Sequence, residues 1–418
     1  MKKIWLWNHY ATDMFINRGG RHYWFAKDLI TQGYNATVFC ANTYHNKTDV
    51  IDTGDKKYIN KMVDEIPFVF VKTIPTLGNG KDRVKNMLMF YKNLFPVAKA
   101  YAKLDGKPDV ILASSVHPLT MLAGIQVAKR FKIPCICEVR DLWPEAIFSF
   151  NKVKEKSVLG CILTAGEHWI YKKADALIFT KEGDIDYIKE KRWDTDQGGD
   201  IDLKKCHYIN NGVDLEAFLH LAKENTIDDV DLHDDKFNVV YTGAIRPVNN
   251  VESLLDAATL LKEHKEIQFL VYGDGNQLEM LRKRVVEEKL DNVKMKGYVN
   301  KQSIPYILSK SSVNILNYSQ SQYNWSRGNS SNKLFEYMAS GKPIISTVKM
   351  GYCILDKYKC GLSLAKPTPE ELAKTILKVR DMPKEQYDEL ANNAFRGASD
   401  FDFKELTKRL IYVIESVL

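Results

Sequence analysis

Short apolar runs alternate with longer amphipathic stretches along this chain of 418 residues. Stretches such as RHYWFAKDLITQ and TMLAGIQVAKRF have helical spacing and separate most of the runs in the first half. Those runs are KIWLWN (3–8), ATVFC (36–40), FVFVK (68–72), DVILAS (109–114), PCICEV (134–139) and ALIFT (176–180). Strands that alternate with helices form parallel sheets covered on both faces. The first half therefore predicts a doubly wound α/β domain.

A second series with the same alternation begins near residue 206. Its runs are CHYIN (206–210), FNVVYTG (237–243), IQFLVYG (267–273), NVKMKG (292–297), VNILN (313–317) and PIIST (343–347). The chain is also too long for one ordinary core. We expect an α/β protein with two facing, Rossmann-like, doubly wound domains and a ligand site in the cleft between them.

The domain boundaries follow from the polar stretch DTDQGGDID, which has the composition of a linker. We expect an N-terminal domain over 1–182, a linker over 183–205 and a C-terminal domain over 206–402. The last helix, 403–418, is expected to complete the N-terminal domain.

The positive charge is concentrated in the first half of the chain. Residues 1–200 contain 30 Lys and Arg against 23 Asp and Glu, whereas the remainder contains 30 of each. Residues 81–107 and 151–173 interleave lysines with apolar side chains, as interfacial helices do. Pro96 is expected to break the first stretch into two helices. These stretches predict contact with an anionic membrane, or alternatively two helices that cover the sheet with their lysines in solvent.

No nucleic-acid-binding module accompanies the basic stretches, so we expect no nucleic-acid partner. The seven cysteines are scattered without a CxxC pair, and we expect neither a metal nor a cofactor. No apolar run approaches a membrane span, and the N-terminal run is too short for a signal-peptide core. We expect a cytoplasmic protein, with its basic half at the inner face of the cell membrane.

The sequence SSNKLFEYMASGKPII (330–345) predicts a short helix followed by a buried strand. Ser331 and Asn332 are N-cap candidates, and Lys333 and Glu336 lie within the first turns. A helix N-terminus at the carboxyl edge of a sheet favours anions, and a carboxylate can accept two hydrogen bonds from a diol. The stretch predicts a nucleotide site with phosphates at the helix end and ribose on Glu336. The alternative is a solvated face with a Lys333–Glu336 pair.

Four stretches of the chain resemble glycosyltransferase family 4, which has GT-B architecture. Three of them are YINNGVDLEAF (208–218), VVYTGAIRPVNNVESLLDAATLL (239–261) and SNKLFEYMASGKPII (331–345). The fourth, EVRDLWPEAI (138–147), is similar to a bacterial subgroup that includes N-acetyl-L-fucosamine transferases of O-antigen and capsule assembly. The four stretches occur in the order expected for the family, and the resemblance extends over essentially the whole chain.

The resemblance implies roles for several residues of the second domain. Glu336 matches the second glutamate of the family's E-x7-E motif, which binds the donor ribose, whereas the first position is Gly328 here. Gly243 and Gly297, at strand ends, match loops that approach the nucleotide through backbone. In the first domain, Gly20 matches a glycine near the donor phosphates.

The resemblance also implies a positively charged site for the donor diphosphate. The family's usual arginine and lysine positions, after the first strand of the second domain, are occupied here by Ala244 and Asn249. Arg246 and Lys333 are the candidates to replace them. A preorganised cation stabilises the charge that develops on a leaving group.

Catalytic candidates follow two strands of the first domain. Arg140 and Asp141 come directly after PCICEV, and His117 follows DVILAS. Relatives often have a histidine near the position of Arg140. The alternatives are a local Arg140–Asp141 ion pair and a structural His117.

The resemblance implies a retaining, metal-independent glycosyltransferase. Its donor would be a UDP-sugar, with an N-acetylated aminosugar expected, and its acceptor a polyprenyl-diphosphate-linked saccharide of O-antigen, capsule or lipopolysaccharide synthesis. Two alternatives remain open at this point. One is a nucleotide-sugar epimerase that uses Asp141, Glu145 and His117 as acid and base groups. The other is a non-catalytic nucleotide-sugar-binding scaffold.

Overall fold

The computed structural model describes residues 1–44, 48–78, 80–149, 153–321 and 324–418. Residues 151 and 152 of the second basic stretch therefore lie outside the described part of the chain. The chain divides into two compact units, here called unit 1 (Met1–Asn210 with Phe403–Leu418) and unit 2 (Asn211–Asp402). Each unit is built on a sheet whose strands are all or mostly parallel, with helices between them, which confirms the predicted α/β fold class.

Unit 1 contains an eight-stranded sheet in the order β3-β4-β2-β1-β5-β6-β7-β8. All pairs are parallel except β3 with β4, which is antiparallel. The strands are β1 (Lys3–Trp7), β2 (Asn35–Ala41), β3 (Tyr58–Val63), β4 (Ile66–Val71), β5 (Val110–Ser114), β6 (Cys135–Val139), β7 (Ala176–Phe179) and β8 (Cys206–Tyr208).

The helices of unit 1 bury the sheet on both faces, as the nearly continuous burial of β1, β5 and β6 shows. Trp5, Phe39 and Tyr101 pack ring against ring in the core on one side of the sheet. The helices are α1 (Thr12–Asn17), α2 (Arg21–Thr31), α3 (Lys81–Asp105), α4 (Pro118–Phe131), α5 (Trp143–Ser149), α6 (Val158–Lys173), α7 (Asp184–Glu190) and the C-terminal α16 (Phe403–Val417).

Unit 2 contains a fully parallel six-stranded sheet in the order β11-β10-β9-β12-β13-β14. The strands are β9 (Phe237–Thr242), β10 (Ile267–Tyr272), β11 (Val293–Gly297), β12 (Val313–Leu316), β13 (Ile344–Ser346) and β14 (Gly361–Ser363). The helices are α8 (Leu215–Glu224), α9 (Val251–Leu260), α10 (Leu278–Glu287), α11 (Ile304–Ser309), α12 (Asn332–Ala339), α13 (Ile354–Tyr358), α14 (Pro369–Arg380) and α15 (Lys384–Ser399). The strand order reverses between β9 and β12, where such sheets bind ligands.

The expected linker over 183–205 differs from what the structure shows. These residues belong to unit 1 and include α7, whose Tyr187 and Ile188 are buried. β8, expected to begin the second domain, pairs with β7 in the sheet of unit 1. Composition suggested a linker because the few apolar side chains that are buried in this stretch are outnumbered by acidic and glycine residues.

Pro96 does not divide the first basic stretch, and the prediction of two helices was wrong. α3 runs continuously through Pro96. Proline removes one backbone hydrogen bond. Phe90, Leu94, Val97 and Tyr101 of the same helix are buried in the core of unit 1, and this packing outweighs the loss. Among the described residues, no helix is both long and apolar enough to cross a membrane.

Two helical glycines of unit 1 allow a matched test of this packing. A Cβ at Gly124 of α4 would lie 2.6 Å from the Cβ of Ala113, whereas a Cβ at Gly166 of α6 meets no atom within 4 Å. We expect Gly124→Ala to destabilise the protein by about 1–3 kcal/mol through overpacking. Gly166→Ala should stabilise it by up to about 1 kcal/mol through helix propensity. Urea unfolding midpoints measure both, and equal effects would contradict the described contact of α4 with β5.

Candidate functional site

Three glycines lie at the carboxyl ends of adjacent strands in unit 2. The Gly243 N–H donates to the Tyr272 carbonyl (3.0 Å), and the Gly273 N–H donates to the Gly297 carbonyl (2.8 Å). A Cβ on Gly273 would lie only 1.8 Å from the Gly243 carbonyl oxygen. The loops after β9, β10 and β11 therefore form one close-packed backbone edge that no larger side chain could occupy.

Helix α12 begins beside this edge. Ser331 is its N-cap residue but makes no side-chain cap hydrogen bond, and its N–H donates to Oδ1 of Asn329 (2.7 Å). The hydroxyl of Tyr337 accepts a hydrogen bond from the Thr242 N–H (2.9 Å), which fixes the helix to the end of β9. Asn332, the first helical residue, is exposed. The predicted helix is present, and its N-terminus lies at the carboxyl edge of the sheet.

The ammonium group of Lys333 lies in a cage of two tyrosine rings. Its Nζ is 4.6 Å from the ring centre of Tyr241 and 4.5 Å from that of Tyr318. It donates to the Tyr241 hydroxyl (3.2 Å), which in turn donates to the Ala244 carbonyl (2.8 Å). A Cβ at Gly243 would lie 3.2 Å from Nζ. We call this arrangement the lysine cage.

The charge in the lysine cage has no close counterion. Within the part of the chain that the structure describes, no carboxylate lies within 4.0 Å of Nζ. Burial lowers the pKa of Lys333 to about 7, and the more distant Glu336 only partly opposes this shift. Burial also raises the pKa of Tyr318 to about 12, so that ring stays neutral. A bound anion would raise the pKa of Lys333 again, because it would supply the missing charge.

Glu336 lies one turn further along α12. Its side chain is 20% exposed and its Oε1 is 3.9 Å from Nζ of Lys301. The alternative interpretation expected an ion pair between Lys333 and Glu336. The ion pairs between described residues do not include this one. Arg246 is exposed after β9 and forms no ion pair with a described residue. The carbonyl of buried Asn249 accepts a hydrogen bond from Asn317 (2.8 Å).

In unit 1, the carboxylate of Glu138 lies fully buried within β6. It accepts hydrogen bonds from Nε of Arg21 (2.7 Å) and the Ser114 hydroxyl (2.6 Å), and Nε2 of His22 lies 3.1 Å away. Burial alone would raise the pKa of Glu138, but Arg21, His22 and Arg140 hold it well below its usual value. This buried ion pair supports the strand end from which Arg140 and Asp141 emerge.

Gly20 positions the arginine of this pair. It precedes α2 with a φ of 105°, which is unfavourable for other residues. A Cβ there would lie 3.0 Å from Cγ of Met14. The guanidinium of Arg21 also donates to the Ile209 carbonyl (2.9 Å). The positive φ and the nearby Met14 are sufficient reasons for a glycine at position 20. The predicted role of Gly20 near the donor phosphates stays a prediction.

His117 lies at the end of β5 as the N-cap residue of α4. Its Nε2 is 2.6 Å from Nδ1 of His9, which stacks on Phe90 with a centroid distance of 4.3 Å. Burial, with a smaller contribution from Arg83, lowers the pKa of His117 to about 3. The imidazole is therefore neutral at physiological pH and has no proton to donate as an imidazolium.

Arg140 and Asp141 do not pair with each other among the described contacts. Asp141 forms an ion pair with Nζ of Lys181 (3.3 Å), and the Arg140 N–H donates to the Ser115 hydroxyl (3.0 Å). The three catalytic candidates thus lie at the ends of the neighbouring strands β5 and β6, within unit 1. The donor-site candidates Glu336, Lys333, Asn332, Ser331, Arg246, Gly243 and Gly297 lie within unit 2. Their roles stay predictions.

Sequence reasoning missed the partners that give these residues their environment. Tyr241 looked like an ordinary strand residue, and Tyr318 follows the predicted strand VNILN without any signal of its own; only the fold brings both to Lys333. Glu138 did carry a signal, since a carboxylate inside an apolar strand must be paired. In the described ranges there is no group of three His, Cys, Asp or Glu side chains that could hold a metal.

Part of the C-terminal half of the chain matches a known protein family. Residues 222–397 match the family model of glycosyl transferases group 1. A curated relative is the putative teichuronic acid biosynthesis glycosyltransferase TuaH of Bacillus subtilis, 25% identical over 220 residues. That match covers 51% of this chain and 50% of TuaH. The chain thus spans about half the length of the curated relative it matches.

Solved structures share the fold over the whole chain. Anabaena HepE in complex with UDP has a TM-score of 0.67 at 15% identity, and the match covers all of both chains. An E. coli protein structure described as trehalose-6-phosphate bound with UDP-2-fluoro glucose has a TM-score of 0.71 at 10% identity. This match also covers all of both chains. These neighbours confirm the GT-B fold class. Family 4 and the N-acetyl-L-fucosamine subgroup stay predictions.

Lys333 allows a stability test that needs no ligand. At pH 6 the partly buried ammonium is charged, and Lys333→Met removes the cost of desolvating it, which should raise the free energy of unfolding by about 1–3 kcal/mol. The folded pKa of about 7 lies below the ordinary 10.5. The unfolded chain therefore binds more protons between these values, and wild-type stability rises with pH across that window. The gain from Lys333→Met should thus shrink above pH 7.

The control is Lys374→Met, which removes an exposed lysine of α14 in the same unit. It should change stability by less than about 0.5 kcal/mol at any pH. Denaturant unfolding at pH 6 and pH 9 measures the free energy of unfolding of the wild type, Lys333→Met and Lys374→Met. A loss of stability in Lys333→Met at pH 6 would contradict the expectation and show that the contacts of the ammonium with Tyr241 and Tyr318 outweigh the cost of its burial.

Proposed function

We propose that this protein is a retaining, metal-independent glycosyltransferase of family 4. It transfers a sugar, an N-acetylated aminosugar in our proposal, from a UDP-sugar to a polyprenyl-diphosphate-linked saccharide. The reaction belongs to the synthesis of a bacterial surface polysaccharide such as O-antigen or capsule. Unit 2 supplies the donor site, and unit 1 supplies the acceptor-side candidates His117, Arg140 and Asp141.

The lysine cage carries this proposal. It holds an unbalanced positive charge next to the uncapped N-terminus of α12 and the backbone edge at Gly243. These features favour a phosphate group, and we assign the exposed Arg246, three residues after Gly243, to the second phosphate of a diphosphate. Glu336, one turn away and partly exposed, suits a ribose diol. Phosphates and a ribose at these positions describe a nucleoside diphosphate.

The comparisons support the donor and the pathway in this proposal. The group 1 glycosyltransferase match lies over unit 2, where the lysine cage lies. HepE was solved with UDP and with UDP-glucose, and TuaH is named for teichuronic acid biosynthesis. We extend the uridine nucleotide and the polysaccharide product to this chain as part of the proposal.

The proposed chemistry requires no protein base. In front-face retention the leaving diphosphate accepts the proton of the acceptor hydroxyl as the sugar is transferred. Lys333 and Arg246 stabilise the negative charge that develops on that diphosphate, a role that a metal ion has in other transferases. His117 stays neutral beside His9, and we assign it to orienting the substrate rather than to donating a proton.

The acceptor side of the proposal places unit 1 at the inner face of the cell membrane. α3 buries its apolar face in the core, yet Val84 and Leu88 of its first half remain exposed among lysines. Each lysine near an anionic leaflet contributes about 1 kcal/mol of binding free energy. A cytoplasmic protein held reversibly at that surface would meet lipid-linked acceptors.

Nucleotide binding gives the first test. UDP at 100 times its dissociation constant should stabilise the protein by about 2.7 kcal/mol without added metal. Glu336→Ala should lose most of this stabilisation because it removes the proposed ribose ligand. A matched control is Glu287→Ala, an exposed glutamate of α10 in the same unit. Thermal unfolding with UDP, GDP, ADP and CMP measures the selectivity.

Absence of stabilisation by every nucleotide would overturn the donor site. If UDP binds, UDP-sugars are then assayed for UDP release with a polyprenyl-diphosphate-linked saccharide in EDTA. Turnover that depends on the acceptor supports the transferase. Conversion of the UDP-sugar without any acceptor would instead identify an epimerase, and binding without turnover a scaffold.

The pH dependence of UDP binding tests the role of Lys333. Because the pKa of free Lys333 is about 7, binding above that pH must return a proton to the ammonium. Wild-type affinity should fall by up to about tenfold per pH unit between pH 7 and 9. Lys333→Arg should show a flatter profile, since a guanidinium stays charged. Titration calorimetry at constant ionic strength measures both, and parallel profiles would exclude Lys333 as the phosphate ligand.

A further inference from the structure

A cavity of about 350 Å³ lies in unit 1 between α4 and α6, beside the start of α5. This volume is in the range of small-molecule sites, roughly 300–1,000 Å³. Most of its wall is apolar. The apolar side chains include Leu119, Met121, Leu122, Ile162, Trp169 and Ile170.

The polar side chains in the wall have partners within the protein. The Glu167 carboxylate accepts hydrogen bonds from the hydroxyls of Tyr171 and Tyr187, both at 2.8 Å. The Gln126 side-chain carbonyl accepts one from the Tyr91 hydroxyl, also at 2.8 Å. The cavity therefore has little to offer a polar ligand and suits an apolar one.

One part of the cavity wall lies beside the catalytic candidates. Asp141 lines it, and so does Pro118, which directly follows His117. Trp143 lines the same part, and its indole N–H donates to the Val116 carbonyl (3.1 Å), which fixes the ring. An elongated apolar molecule in the cavity would thus have one end at the carboxyl edge of the sheet.

The outer face of α6 continues the apolar surface into solvent. Val158 is 79% exposed and Ile162 is 61% exposed. Exposed lysines flank this face and form no ion pair with any residue that the structure describes: Lys154, Lys156 and Lys173. An apolar helix face between unpaired lysines complements the surface of an anionic bilayer, and a chain leaving that bilayer could enter the cavity.

We propose that this cavity holds the hydrocarbon chain of a lipid-linked acceptor. The α6 face lies against an anionic leaflet, the chain passes between α4 and α6, and its phosphate-bearing head emerges at Trp143. The identity of the head group rests on the proposed function. The preference for a hydrocarbon chain rests only on the apolar wall and the charges around α6.

Gly166 gives access to the cavity without damaging the fold. It lines the cavity, lies inside α6 and has open space where a Cβ would be. Leucine is also a better helix former than glycine. Gly166→Leu should therefore fill the cavity in a stable protein. Ala165→Leu adds a leucine at the neighbouring exposed position, which does not line the cavity.

The first experiment compares two ligands with the same head and different chains. Farnesyl phosphate and dimethylallyl phosphate are titrated into the full-length protein by calorimetry. The wild type and Ala165→Leu should bind farnesyl phosphate at least about tenfold more tightly, because the longer chain buries more apolar surface. Gly166→Leu should bring the two affinities close together. Its stabilisation by UDP should remain that of the wild type, which separates this result from the proposed donor site.

The second experiment tests the α6 face with vesicles of phosphatidylglycerol and phosphatidylcholine. Ile162→Glu should reduce sedimentation with these vesicles at least about fivefold. Val286→Glu, at an exposed apolar position of α10, should not.

Three outcomes would overturn the proposal. The first is equal wild-type affinity for the two phosphates, and the second is an unchanged chain preference in Gly166→Leu. The third is self-association of the wild type that Ile162→Glu abolishes, since it would assign the α6 face to a second copy of the chain. Loss of UDP binding alone would overturn the proposed function and leave the chain site standing.

Discussion

Parallel sheets buried on both faces leave only their edges for polar chemistry, and both units of this protein follow that constraint. In unit 2 the carboxyl edge brings together three glycine loops and the N-terminus of α12. In unit 1 it brings together the ends of β5 and β6. Most of the candidate residues lie near strand ends because the strands themselves are buried on both faces, where an unpaired polar group is costly.

The two edges handle buried charge in opposite ways. Glu138 is enclosed in unit 1, yet Arg21, His22 and Ser114 satisfy its carboxylate. Lys333 in unit 2 is partly buried against two neutral tyrosine rings, and no carboxylate lies within 4.0 Å of its Nζ among the described residues. A buried charge with a partner stabilises the fold. A charge without a counterion can instead be paired by a bound anion, which favours the charged form of the lysine. This contrast separates a supporting network from a candidate ligand site.

Much of the fold could be predicted from the pattern of apolar runs. Those runs correspond to strands in both sheets, and only the exposed, partly polar β3 and the three-residue β14 lacked a clear signal. The linker over 183–205 was misplaced because Tyr187 and Ile188 bury themselves in a stretch of polar composition. Pro96 was misread because local propensity is weaker than the packing of a 25-residue helix against a core.

The sequence alone determined the fold class, the two repeated α/β halves and the placement of Lys333 and Glu336 on one short helix. These depend on periodicity and helix-end signals, which are local. The tertiary structure decided what surrounds those residues: Tyr241 and Tyr318 at Lys333, His9 at His117, and the apolar cavity between α4 and α6. Such contacts join residues far apart in the chain, and their burial, which sets pKa and ligand preference, exists only after folding.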